Sequence, residues 1–85
     1  MIEFQHTIAD PLGLHARPAG QLAQKAAALT SKVTLSAKGK QVNAKQVIAL
    51  MRLCLKSGDT VAFQVDGQEE AADAAALEEF CKSTL

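Results

Sequence analysis

Asp10-Pro11-Leu12-Gly13-Leu14-His15-Ala16-Arg17-Pro18 decides how this chain folds, because here a strand gives way to a helix. Asp10 to Gly13 is turn chemistry: proline presets φ, aspartate can bond its own backbone, and glycine tolerates positive φ. From Ala16 onward Ala19, Leu22, Ala23, Ala26 and Leu29 recur at helical spacing, which predicts one buried helix face over about 16–29. Pro18 fits only the first turn of such a helix, where a missing N–H leaves nothing unpaired. His15 is therefore expected at or beside the N-cap, with Arg17 projecting from the first turn.

Working outward, period-two alternation predicts strands. Ile2, Phe4, His6 and Ile8 alternate with Glu3, Gln5 and Thr7. His6 falls on the apolar side, where it reads as a strand-edge histidine with a satisfied hydrogen bond. Lys32–Ala37 alternates with Val33 and Leu35 inward, Lys38-Gly39 reads as a tight hairpin turn, and 41–43 is a short third strand. Residues 44–55 form an apolar helical stretch, with Leu50 and Leu53 as its inward pair and Gly58 as its C-terminal stop. Val47, Ile48 and Met51 cannot all share that inward face, so an exposed apolar patch is expected. Residues 60–66 make a strand with Val61, Phe63 and Val65 inward. A final helix over about 69–84 buries Ala74, Leu77, Cys81 and Leu85, with Phe80 beside them. The order is βαββαβα, and antiparallel strands separated by helices imply one sheet with helices packed on one face.

Composition narrows the function. Eighty-five residues, 48% of them hydrophobic, form a single domain over 1–85 with a small core. Nine basic residues balance nine acidic ones, which argues against a nucleic-acid binder. No apolar run approaches the roughly 18 residues of a membrane span. Met1 to Phe4 lacks a basic segment followed by an apolar one, so no signal peptide is expected and the cytoplasm is the expected location. Cys54 and Cys81 have no metal-ligand spacing and read as small buried hydrophobes; no metal or cofactor is expected.

The chemistry concentrates at His15. The first turn of a helix presents free backbone N–H groups and the positive end of the dipole, an anion site. Arg17 opposes that dipole, and anion binding explains a cation there. The same field opposes protonation of the imidazole, leaving a nitrogen lone pair beside an anion cradle. A phosphoryl acceptor needs that combination. A small hydrolase using His15 as general base is weak, since no acid, metal set or nucleophile lies near it in sequence.

Gly13-Leu14-His15-Ala16-Arg17-Pro18, together with Lys38-Gly39-Lys40, Asn43-Ala44-Lys45 and Lys56-Ser57-Gly58-Asp59, resembles the HPr family over essentially the whole chain. These are the histidine phosphocarriers of the bacterial sugar phosphotransferase system. The resemblance implies an α+β open-faced β-sandwich, a four-stranded antiparallel sheet with three helices on one face. It implies a carrier rather than an enzyme: His15 would take a phosphoryl group on Nδ1 from phosphorylated enzyme I and pass it to enzyme IIA. Arg17 would stabilise the phosphate, aided by backbone at Ala16, Arg17 and Pro18. Partners would dock on Gly20, Gln21, Gln24, Val47, Ile48 and Met51, and the carrier would be a monomer. Two departures from the family pattern stand out. Gln46 occupies the place of a regulatory serine, so no phosphoserine is expected, and Ser57 is no substitute. Cys54 stands where many members have glycine. Val47-Ile48-Ala49-Leu50 is also similar to the nitrogen-related paralogues. The alternative is accordingly a paralogue or regulatory binding module that docks partners in a phosphorylation-dependent way.

Overall fold

A computed structural model describes residues 1–14 and 16–85; His15 lies outside the described residues. The elements are β1 (Ile2–Thr7), α1 (Ala16–Ala28), β2 (Lys32–Ala37), β3 (Lys40–Asn43), α2 (Val47–Arg52), β4 (Thr60–Asp66) and α3 (Glu70–Thr84). All seven expected elements form in the expected order, βαββαβα, and six of them lie within a residue or two of their expected bounds.

The strands form one antiparallel sheet in the order β1-β4-β2-β3. Its register puts Phe4 opposite Phe63 and Leu35 opposite Phe63 on the other side, so one face is apolar apart from His6. Val33, Leu35, Val61, Phe63 and Val65 are buried on it, and the Phe4 and Phe63 rings stack with centroids 5.2 Å apart. The helices cover this face. α3 lies against β1 and β4, α2 packs beside β3, and α1 lies alongside α2 and α3. Ala19, Leu22, Ala23 and Ala26 of α1 and Ala74, Leu77 and Cys81 of α3 are buried, as their spacing predicts. Each fully buried Leu, Val or Phe contributes about 1.5–3 kcal/mol by leaving water.

Loop polarity fixes how the helices sit. Asp73 on α3 accepts the Ser31 hydroxyl at 2.5 Å, the Ser31 amide at 3.0 Å and the Thr30 hydroxyl at 3.3 Å. One carboxylate thereby ties the α1–β2 turn to α3 and satisfies Ser31, which is buried.

Four expectations need correction. The second helix is half the length its apolar residues indicate. Asn43 opens a turn in front of it: its carbonyl accepts from the Gln46 amide and its side chain from the Lys45 amide. Gln46 is then an extended N-cap with no side-chain cap bond, and Ala44 is buried in the turn rather than in the helix. Second, Gly58 is not the helix stop. α2 closes with i to i−3 bonds, Leu53 N to Leu50 O and Cys54 N to Met51 O, and Cys54 leaves it with φ of 52°. Gly58 belongs to the next turn and donates to the Ile8 carbonyl. Third, Cys54 is exposed, because it sits in that exit; Cys81 alone of the two is buried. Fourth, His6 faces the apolar side as expected, yet its Nε2 is buried with no hydrogen-bond partner among the described residues. Its cross-strand partner is Val61, which offers it no polar side chain.

Candidate functional site

The turn before α1 forms as its residues dictate. Asp10 Oδ1 accepts the Leu12 amide at 2.9 Å, and the Asp10 carbonyl accepts the Gly13 amide at 2.9 Å. Gly13 takes φ of 71°. A side chain there would collide with the Leu55 carbonyl and come within 2.7 Å of Lys56 Cα, so only glycine fits. Leu14 is buried, and its amide donates to the Leu55 carbonyl at 3.0 Å. The loop after α2 is therefore the seat on which the approach to α1 rests.

α1 opens at Ala16, with Arg17 second and Pro18 third, and its first turn holds no acidic residue. The first-turn amides of a helix lack intrahelical acceptors. Arg17 is exposed and forms no ion pair among the described residues. Pro18 is buried, which pins the turn. The candidate acceptor His15 itself lies outside the described residues.

Arg17 sits between two clefts. On one side, a groove between α1 and α2 is lined by Ala16, Arg17, Gly20, Gln21, Gln24, Lys45 and Val47, among others. Four of the docking candidates, Gly20, Gln21, Gln24 and Val47, are thus brought together with Arg17. Ile48 and Met51 do not line the groove; they stand exposed on α2 beyond it, 62% and 39% accessible. Val47 is half-buried and packs partly on the core, so the exposed apolar patch is Ile48 and Met51. Gln46, exposed at the head of α2, brings no hydroxyl.

On the other side, a cleft is lined by Asp10, Arg17, Pro18, Gln21, Ser83 and Thr84. The end of α3 closes it, and the Leu85 carbonyl accepts the amides of Ala9 at 2.6 Å and Asp10 at 3.1 Å. Nothing in the sequence marks Ser83 and Thr84 as neighbours of Arg17, because they come together only when α3 packs beside α1 and Leu85 bonds to the turn before α1. The electrostatics share this division. Every Lys and Arg except Lys82 lies between residues 11 and 58, and every Asp and Glu lies outside that span. α1 and α2 themselves carry Arg17, Lys25 and Arg52 and no carboxylate, whereas six of the nine acidic residues lie from Asp66 to Glu79, and Asp10 reaches the cleft beside Arg17 from the turn before α1. Among the described residues no group of three His, Cys, Asp or Glu could hold a metal ion.

Comparison with known proteins places this arrangement. A family model described as "PTS HPr component phosphorylation site" matches residues 2–83. The chain is 38% identical over 79 residues to the phosphocarrier protein HPr of Xylella fastidiosa, covering 93% of this chain and 89% of that one. It is 41% identical over 76 residues to the HPr of Cupriavidus necator, covering 87% and 85%. Among solved structures, the histidine-containing phosphocarrier protein of Mycoplasma superposes with a TM-score of 0.92 at 34% identity, covering 98% and 94% of the two chains. An HPr dimer from Thermoanaerobacter tengcongensis superposes at 0.75 with 32% identity, covering 98% and 95%. These relatives do not favour a regulatory module over a carrier. The chain belongs to the HPr family, the phosphocarriers of the phosphotransferase system.

Proposed function

We propose that His15 is the phosphoryl acceptor and Arg17 the residue that steadies the transferred group. The observation that carries this reading is Arg17, exposed and without an ion pair among the described residues, on the acid-free first turn of a helix that opens one residue after His15. The lone pair on Nδ1 attacks phosphorus, a P–N bond forms, and the donor's bond to phosphorus breaks with its electron pair returning to the donor. The backbone N–H groups of Ala16 and Arg17 and the Arg17 guanidinium face the phosphate oxygens, whose charge they offset, while Pro18, which has no N–H, holds the turn in shape. A site open to solvent holds the group loosely enough for onward transfer, so the protein is a carrier and not a catalyst.

Enzyme I, phosphorylated from phosphoenolpyruvate, is the donor in this reading, and a histidine of enzyme IIA is the recipient. Both meet the same face: Gly20, Gln21 and Gln24 on α1, and Val47, Ile48 and Met51 on α2. One copy of the chain supplies the whole face, so it works as a monomer. Gln46 leaves no serine to phosphorylate at the head of α2. The cytoplasm is the proposed place of this transfer; no helix among the described residues is long and apolar enough to cross a membrane.

The test is a transfer series. Incubation with enzyme I and labelled phosphoenolpyruvate loads the protein, and a panel of enzyme IIA proteins is then added. The label moves to at least one of them. Label that stays on the protein throughout the panel overturns the carrier reading.

A further inference from the structure

Among the described residues, two that are not glycine take positive φ: Lys38 at 53° and Cys54 at 52°. They are bonded to each other. The Lys38 ammonium donates to the Cys54 carbonyl at 2.9 Å, across a separation of sixteen residues. Lys38 lies in the β2–β3 turn, and Cys54 is the exit from α2. The left-handed region strains an L side chain. A two-residue hairpin turn favours Asn or Gly at such a position. Neither of those would reach across to the α2 exit; the long lysine side chain does.

The same ammonium lies 3.5 Å from Asp59 Oδ2, and that oxygen accepts the Lys56 amide at 2.8 Å. One amine therefore grips both ends of the 54–59 segment. That segment is the seat described above. Leu14 bonds to Leu55, Gly13 fits against Leu55 and Lys56, and the Ile8 amide bonds to the Asp59 carbonyl at 2.8 Å. α1 opens at Ala16, two positions after Leu14.

We propose that Lys38 is a positioning residue for phosphoryl transfer: its ammonium latches the 54–59 segment, and that segment fixes where residues 13 and 14 deliver the chain to α1. Lys38 touches no reacting atom and acts through the seat. The inference rests on the proposed function above, and its failure is distinguishable. If the wild type takes no label from enzyme I, the acceptor reading fails. If it does take label, the variants decide on Lys38.

Lys38→Asn removes the amine and installs a residue suited to the turn. Its melting temperature stays at or above the wild-type value. Its turnover at saturating enzyme I falls about threefold or more, while KM changes less than about twofold. Exchange of the Leu14 amide, bonded to the seat, accelerates. Lys38→Arg keeps a long cation and restores most of the turnover. Wild-type turnover in Lys38→Asn overturns the proposal. So does an effect confined to KM, which would make Lys38 a partner contact, or a loss of melting temperature that tracks the loss of rate.

Discussion

Arg17 is the proposed phosphate-recognition residue. Its guanidinium opposes the dipole of α1 and has no ion pair among the described residues, which leaves it open to the phosphate of the proposed transfer. Replacing it with alanine removes a charge-assisted hydrogen bond of about 1.5–3 kcal/mol, and phosphotransfer from enzyme I slows about ten- to a hundredfold. Lysine restores only part of this, because it lacks the forked donors. Stopped-flow or quenched transfer with the two variants measures both effects; an alanine variant at wild-type rate would remove Arg17 from the site. Cys54 makes a different prediction. At φ of 52° it pays for a side chain that its backbone does not favour. Cys54→Gly should stabilise the fold by about 1 kcal/mol, read from denaturant unfolding. The two thiols should also separate chemically. Cys54 is exposed and reacts with an alkylating reagent in the native protein, whereas burial pushes the Cys81 thiol up to about 12, with Glu78 adding to the effect. Mass spectrometry should show one alkylation in the folded protein and two after unfolding.

α2 sets a buried residue and two exposed apolar ones within six positions, so stability and the proposed docking separate along it. Leu50 is fully buried, and Leu50→Ala should cost about 2–5 kcal/mol through lost burial and the cavity left behind. Ile48 and Met51 face solvent, so Ile48→Glu and Met51→Glu should change unfolding free energy by less than about 0.5 kcal/mol while raising the KM for enzyme I. A large loss of thermal stability from Met51→Glu would place Met51 in the core and remove it from the docking face. These elements also show what a sequence discloses. α1 and the three longer strands were legible because Leu22, Val33, Leu35, Phe63 and their neighbours repeat at one period over several turns or pleats. α2 was legible in kind but not in extent. Its apolar residues continue past both ends, since Ala44 and Leu55 are buried from turns, and burial alone does not distinguish turn from helix. The exposure of Cys54 and the reach of Lys38 were hidden because both depend on backbone angles set by tertiary packing. At the site, His15, Ala16, Arg17 and Pro18 stand together in the sequence and could be read there. The cleft with Ser83 and Thr84 is made by the fold alone.

At the scale of the molecule, charge is segregated along the chain: α1 and α2 carry Arg17, Lys25 and Arg52 without a carboxylate of their own, and the proposed docking residues lie on those two helices. Docking there should weaken as salt screens it, so the KM for enzyme I should rise several-fold between about 0.05 and 0.5 M salt. An unchanged KM would assign docking to apolar contacts alone. Acid stability has an equally definite sign. The Ser31 hydroxyl and the amides around it hold the Asp73 carboxyl below its ordinary value of 3.8, and the Lys56 amide, aided by Lys38, does the same for Asp59. Their folded-state values lie below the unfolded ones. The stability they lend is therefore fully present above the ordinary value and is lost as pH falls through and below it. The melting temperature of Asp73→Asn should lie below that of the wild type at neutral pH, and the gap should narrow on acidification. The most direct test of the whole account is to load wild-type protein and His15→Ala with enzyme I and labelled phosphoenolpyruvate. The wild type should take up one acid-labile phosphoryl group per chain and the folded variant none; label retained by the variant would contradict the assignment of His15 as acceptor.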